Sequence, residues 1–379
     1  MSAYRDQVDG STYPLDVPRW RSAAGRPLWI DPGPGIGRDD VDGAERSLWR
    51  YRAAFPVDIA APITMGEGFT PLVEHEWVDG SRPLFKAEWF SPTGSFKDRG
   101  SSVMLSYLRD RGISSVLEDS SGNGGSSVAG YGAAGGMRVK IFAPASTSPA
   151  KIAQVRAYGA DVELVEGPRE ESQNAAIRQA TGDAFYASHN WQAFFLQGTK
   201  TQAYELWENL GFRAPDNVIV SVGAGSSLLG CYLGFRELLN AGQIARMPRL
   251  FAAQPLNCSP VDASFTAGVD VPVARPVRPT IAEGTAIAHP LRLTQMITAL
   301  RETGGATVAI PEEDIVRALD ALCSRGLFVE PTSASAAAAY STLLRSGSIT
   351  PAETTVVMLS GSGLKAAPLV LDLVEGVRA

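Results

Sequence analysis

From residue 83 onward the chain alternates short apolar runs with stretches of helical length, and this alternation restricts the fold more than any other feature of the sequence. Runs 83–89, 115–118, 138–142, 162–165, 218–222, 250–253 and 356–359 read as strands. Between them, 96–111, 123–135, 149–158, 168–180, 197–210, 226–239, 291–301, 312–325, 333–344 and 364–374 read as helices. Val- and Ile-rich strands separated by helices require parallel sheets covered on both faces, so the expected fold class is α/β. A chain of 379 residues has room for about two such units. In these folds ligands sit at the carboxyl ends of strands, where helix N-termini begin.

Two segments stand outside the pattern. The first 60 residues are rich in Trp, Pro and Arg, and carry DPGPGIG at 31–37. Those glycines lack G-x-G-x-x-G spacing and follow no apolar strand, so the segment reads as an extension packed on the body. Residues 255–279 hold many prolines and no period, and read as a long surface loop.

Composition excludes several functions. Net charge is −6 and no Lys/Arg stripe appears, so nucleic acid and anionic membrane are not expected partners. No apolar run approaches the roughly 18 residues of a membrane span. The polar start MSAYRDQVDG has no apolar signal core. Cys231, Cys258 and Cys323 are far apart with no CxxC spacing. They suggest neither disulfides nor a metal site, and they suit a cytoplasmic location.

Three loops carry candidate chemistry. SPTGSFKDRG at 91–100 is a turn that ends at a helix start and presents Lys97. There the positive end of the helix dipole lowers an amine pKa, which suits a Schiff-base nucleophile. The same spacing also allows a plain capping loop. VIVSV at 218–222 is followed by Gly223, Ala224, Gly225, Ser226 and Ser227, then a helix. Strand, glycine turn and helix can cradle one phosphate on backbone N–H groups, or simply form a tight turn. It is no dinucleotide fingerprint, because Leu228 stands where a third glycine belongs, and no Gly-Lys-Ser/Thr follows. VVML at 356–359 leads into SGSGLK at 360–365 on the same plan, with Ser360 offering a hydroxyl at the strand end.

In this order, and together with WRY at 49–51, GEGFTPL at 66–72, SSGN at 120–123, GTKT at 198–201 and GTAI at 284–287, these loops resemble pyridoxal-phosphate (PLP) enzymes of the tryptophan-synthase-β class, fold type II, and threonine synthase in particular. The resemblance implies two three-layer α/β units with parallel-rich sheets and PLP between them. Residues 61–96 and 189–379 would form the larger unit, and 97–188 a smaller one that closes over substrate. It implies that Lys97 holds PLP as a Schiff base and that Asn123 faces the phenolic oxygen. Ser120, Ser121, Gly122 and Gly124 would meet the substrate, with the carboxylate on the serines and following amides. Gly223, Ala224, Gly225, Ser226 and Ser227 would hold the phosphate, and Ser360 would face the pyridine nitrogen. A neutral hydroxyl there does not enforce ring protonation as an Asp does, which favours prompt loss of a leaving group over transamination. The implied reaction is Cα proton abstraction by Lys97, then β- or γ-elimination or replacement on a small amino acid, in a homodimer.

The resemblance to threonine synthase also breaks in places. Gly124 stands where the family has Thr, Phe195 where it has Arg, and Ser362 where it has His. Gly and Phe cannot bind a second phosphate, which argues against O-phosphohomoserine. Lys151, Arg156 and Lys200 remain as sources of charge. Asn190 and Phe195 are expected on the substrate side, with Trp191 and Phe194 either lining an apolar pocket or packing the core. His189, His289 and Glu283 are further candidates to line the site, and His75 is expected at the surface. Threonine/serine ammonia-lyase chemistry, and β-replacing synthases such as cysteate-synthase-like or natural-product enzymes, remain as alternatives.

Overall fold

The computed structural model describes residues 2–147, 149–181 and 183–378. The chain opens with β1 (Tyr4–Arg5), β2 (Thr12–Tyr13) and β3 (Trp29–Ile30), a small antiparallel sheet in the order β2-β1-β3. β4 (Leu72–Glu74) and β5 (Leu84–Ala87) pair antiparallel. Then come α1 (Lys97–Asp110), β6 (Ser115–Glu118), α2 (Asn123–Ala134), β7 (Arg138–Pro144), α3 (Pro149–Ala157), β8 (Asp161–Val165), α4 (Arg169–Gln179) and β9 (Phe185–Tyr186). After α5 (Ala193–Thr199) and α6 (Thr201–Asn209) follow β10 (Asn217–Ser221), α7 (Ser226–Asn240), β11 (Arg249–Pro255), α8 (Pro260–Thr266), α9 (Leu293–Glu302) and β12 (Ala306–Ile310). The chain ends with α10 (Glu312–Cys323), α11 (Pro331–Arg345), β13 (Thr355–Leu359) and α12 (Ala367–Arg378).

The fold is the α/β arrangement expected. A four-stranded parallel sheet runs β8-β7-β6-β9, and a six-stranded sheet runs β12-β11-β10-β13-β5-β4 with only β4 antiparallel. Alternation along the strands explains the layers, because successive side chains point to opposite faces. Val218, Val220, Val356 and Met358 enter one core with α6, α7 and α9 residues. Ile219, Val357 and Leu359 enter the opposite core with α10, α11 and α12 residues. In the smaller sheet Val116, Val139 and Ile141 pack towards α1, α2 and α5, whereas Leu117 and Phe142 pack towards α4.

Helix α1 is gripped from both sides. A Cβ on Gly198 would fall 2.0 Å from the Arg99 carbonyl oxygen, and one on Gly100 2.4 Å from the Phe195 ring. These glycines let the α1 and α5 backbones touch. Two residues beyond Lys97, the fully buried Arg99 guanidinium donates from Nε to Glu88 Oε2 (2.7 Å) and from Nη1 to Glu205 Oε2 (2.8 Å). Lys86 Nζ reaches Glu205 Oε1 at 2.5 Å. The cluster ties α1 to α6 and to the end of β5.

Four expectations about the elements need correction. The stretch 255–279 is not all loop: Pro260 takes the first position of α8, where its missing N–H costs nothing, and Gln254 Oε1 accepts from Val261 N and Asp262 N. Residues 306–310 form the edge strand β12, hidden in the sequence by flanking Gly304, Gly305 and Pro311. The single helix expected over 197–210 is two, meeting at Lys200. The first 60 residues carry a sheet of their own, and they pack on the body through Tyr4, whose hydroxyl bonds that of Tyr107 at 2.9 Å.

Candidate active site

Backbone hydrogen bonds draw the candidate loops together. Phe96 N donates to Ser360 O (3.0 Å), Ser362 N to Gly94 O (3.0 Å) and Glu330 N to Gly361 O (3.1 Å). The lysine loop is thus zipped to the loop after β13, which is zipped in turn to the start of α11. Lys97, first residue of α1, points its Nζ to Ser226 Oγ at 3.2 Å. Ser226 opens α7. Gly225 before it has φ of 87°, and no side chain caps the helix. The first-turn N–H groups therefore have no intrahelical acceptor and face the lysine as an anion cradle. Ser227 contributes backbone only, since its hydroxyl donates to Gln202 Oε1 at 2.8 Å. The turn is held close by its neighbours: a Cβ on Gly223 would meet Thr285 Cα at 2.9 Å, so the segment 284–287 lies directly against it.

Burial pushes the Lys97 pKa down from 10.5 to about 8, against Glu118 and Glu330, which favour its charge; Arg169 assists the lowering. The sequence suggested the helix dipole as the cause; burial is the leading one acting on the amine. A neutral amine is the nucleophile, so capture of PLP by the ligand-free protein is expected to speed up as pH rises and to level off above about 8, rather than near 10.5. Stopped-flow absorbance across pH checks this; a rate still climbing at pH 10 would contradict it.

On the far side, Asn123 begins α2 and donates from Nδ2 to Glu330 Oε2 at 3.0 Å, while Lys365 Nζ donates to Asn123 Oδ1 at 3.0 Å. Ser360 Oγ donates to Glu330 Oε1 at 3.0 Å and lies 3.1 Å from Ser333 Oγ. Glu330 therefore joins the two residues expected at opposite edges of a cofactor ring. Its pKa is raised by burial, with Asn123, Lys365, Ser360 and Lys97 opposing. Sequence reasoning missed both Glu330 and the role of Lys365. The available signal was an acid directly before a Pro that opens a helix.

The substrate-side residues are spread along two loops. Ser120 is buried and Ser121 half-buried at the end of β6, and Gly122 N donates to Ser120 Oγ at 3.3 Å. Helix α2, like α7, has no side-chain cap. A Cβ on Gly124 would stand 2.7 Å from His189 Nδ1, so the imidazole occupies that space. His189 is held by Glu118, whose Oε2 accepts its backbone N–H (2.9 Å) and whose Oε1 lies 2.8 Å from Nδ1. The Asn190 and Trp191 carbonyls both accept from Arg292. Phe195 is fully buried, with its ring 5.8 Å from that of His189 and 5.7 Å from Lys97 Nζ. It lies beside both groups. Phe194 belongs to the core, stacked on Tyr107 at 3.5 Å.

The alternative charges do not converge here. Lys200 is buried and spent on Glu237 (2.9 Å) and the Ala54 carbonyl (2.7 Å). Arg156 is exposed on α3, and the Lys151 side chain lies outside the described residues. The Ser362 hydroxyl caps a turn by accepting from Leu364 N. His289 is exposed in the loop after residue 287, and His75 is half-buried beside β4. Among the described residues no group of three or more His, Cys, Asp or Glu side chains could hold a metal, and no helix is long and apolar enough to cross a membrane.

A lysine at a helix start, facing an uncapped helix N-terminus across two α/β layers, defines a class of enzyme that carries an anionic carbonyl cofactor on an amine. Residues 63–361 match the family model described as pyridoxal-phosphate dependent enzyme, and the chain belongs to that family. It is 32% identical over 339 residues to threonine synthase of Methanocaldococcus jannaschii, covering 87% of this chain and 83% of that one. Threonine synthase of Methanosarcina acetivorans is 30% identical over 335 residues, 87% and 82% of the two chains. The structure of maize serine racemase superposes with a TM-score of 0.68 at 23% identity, over 82% of this chain and 92% of that one, and shares the fold. The residues fit PLP: the uncapped start of α7 suits its phosphate, and Lys97 stands within reach of that cradle. The chain is a PLP-dependent enzyme.

Proposed function

We propose that the chain is a threonine-synthase-like lyase that carries out β- or γ-elimination or replacement on a small amino acid, with Lys97 as the amine that bears the cofactor and moves the Cα proton. The observation that carries this reading is the 3.2 Å approach of Lys97 Nζ to Ser226 at the open start of α7. Bound PLP supplies the electron sink that acidifies the substrate Cα–H. The amides of residues 223–227 hold its phosphate. Ser120, Ser121 and the amides at the uncapped start of α2 hold the substrate carboxylate. Asn123 and Ser360, both fixed by Glu330, hold the two polar ring positions. Ser360 gives a hydroxyl rather than a carboxylate, and so does not force a proton onto the ring nitrogen.

Residues 97–188 form the smaller unit, which closes over the substrate about the fixed α1, in a homodimer within a reducing cytoplasm; the unbridged thiols of Cys231 and Cys258 agree with that compartment. O-Phosphohomoserine is disfavoured, because Gly124, buried Phe195 and paired Lys200 leave no cluster for a second phosphate among the described residues. That observation supports ammonia-lyase or β-replacing chemistry as the second reading. The test is a panel of serine, threonine, O-acetylserine, O-phosphoserine and O-phosphohomoserine, with 2-oxo acid, phosphate and new amino acid assayed separately. Turnover of a non-phosphorylated substrate is expected. Phosphate release from O-phosphohomoserine faster than any other reaction would reverse the substrate assignment, and no turnover of any amino acid would remove the lyase.

A further inference from the structure

We propose that His189, oriented by Glu118, is the acid that protonates the departing oxygen, so that the site takes amino acids whose side-chain substituent leaves as water or an alcohol. This rests on the elimination reading above and names the residue that sets its leaving group.

Three observations converge on the imidazole. First, Gly124 makes room for it. A Cβ at 124 would meet His189 Nδ1 at 2.7 Å, His189 Cε1 at 2.8 Å and Ser120 Oγ at 3.1 Å, so these groups share one corner of the carboxylate loop. Second, the ring orientation is fixed. Glu118, at the end of β6 and wholly buried, faces Nδ1 at 2.8 Å and accepts the backbone N–H of His189 at 2.9 Å. No hydrogen bond to Nε2 exists among the described residues. Third, Phe195 links the ring to the nucleophile: it meets the imidazole edge-on at 5.8 Å and lies 5.7 Å from Lys97 Nζ, and the Lys97 charge acts on the imidazole.

A purely structural tie between β6 and the 189 loop requires only the backbone N–H of residue 189 on Glu118. It does not require a second buried, titratable group beside the active amine, where desolvation penalises every charge. Burial raises the Glu118 pKa to about 7 and depresses that of His189 well below its usual value. The ring is thus neutral while the carboxyl still holds a proton near neutrality. Lys97, Asp119 and Arg169 are the other charged groups acting on this pair.

Lys97 takes the Cα proton, and the electrons of that bond form a Cα–Cβ double bond. The Cβ–O bond breaks with its electrons on oxygen. Nε2–H gives its proton to that oxygen, releasing water or an alcohol, as Glu118 passes its own proton to Nδ1. Glu118 is left as a carboxylate and recovers a proton from solvent. A phosphate dianion would instead approach a carboxylate-backed ring.

The test compares leaving groups in the holoenzyme. Hydroxide needs a proton to depart from serine, whereas chloride leaves 3-chloroalanine without one. In H189Q the ratio of kcat on 3-chloroalanine to kcat on serine is expected to rise about 100-fold, the usual scale of general acid catalysis, with KM for serine changing far less than kcat. Glu118→Gln, which keeps an acceptor for the backbone N–H, should move the ratio the same way. Equal losses on both substrates, no loss, or failure of both variants to fold would each overturn the proposal in favour of a structural tie. So would a wild-type enzyme that eliminates phosphate but never hydroxide. If wild type shows a visible cofactor band yet turns over neither serine nor 3-chloroalanine nor any other amino acid, the elimination reading itself fails.

Discussion

Replacing Lys97 by Ala should abolish the visible absorption band of the PLP-loaded protein and lower turnover by about a thousandfold or more, because the same amine both tethers the cofactor and moves the proton. The fold should survive. Lys97 occupies the first position of α1, and its side chain makes one hydrogen bond, to Ser226 Oγ. Burial opposes its positive charge, so trimming it to a methyl group relieves desolvation as much as it removes packing. An unfolding free energy from urea denaturation within about 1 kcal/mol of wild type in the cofactor-free protein is expected. A K97A protein that keeps the band would assign the cofactor to another amine, such as Lys365, which is bonded to Asn123 in this site.

The second large effect is on stability. Arg99→Met should cost about 3–5 kcal/mol, the usual penalty for removing one partner from a buried ion cluster. Glu205 would keep Lys86, whereas Glu88 would lose its ion-pair partner, and all three side chains are fully enclosed. Acid sensitivity should change too. In the intact protein Arg99 and Lys86 overcome burial and hold the Glu205 carboxyl far below 4.5. A carboxylate depressed in the folded state stabilises above its unfolded value and loses that contribution only as pH falls through the folded one. Wild type should therefore keep this contribution well below pH 4.5. R99M should lose it at higher pH, as the folded pKa of Glu205 climbs. Denaturation midpoints at pH 7, 5 and 4 measure both effects. An unchanged midpoint at pH 7 would mean that the cluster does not anchor α1.

Much of this architecture was legible because period-two and helical patterns are properties of local sequence. Strand β6 and the starts of α1, α2 and α7 fall where the residues suggest. Gly225 could be placed in a tight turn from sequence, and its positive φ is what a glycine permits there. The edge strand β12 was not legible, since a five-residue run between glycines and proline has too little pattern of its own and is set by pairing with β11. The site was read in halves. Lys97 and residues 223–227 lie in loops with a recognisable strand-turn-helix form. Glu330 acts only through partners more than 200 residues away at Asn123 and 30 away at Ser360. The link between Glu118 and His189 spans 71 residues, and nothing in either local sequence announces it. Gly124 looked like a loss relative to a threonine, whereas its missing side chain admits the imidazole.

The glycine contact between α1 and α5 has a wider consequence. Backbone wedged against backbone at Gly198 leaves the start of α1 no freedom to slide or tilt. The amine is thus mounted on an immovable post, while the loops that follow β6 and precede α5 bear on the substrate from outside. Exchanging side chains in those loops can retune which group departs without disturbing the reactive nitrogen, so one scaffold can be refitted for new substrates by altering a corner rather than the frame.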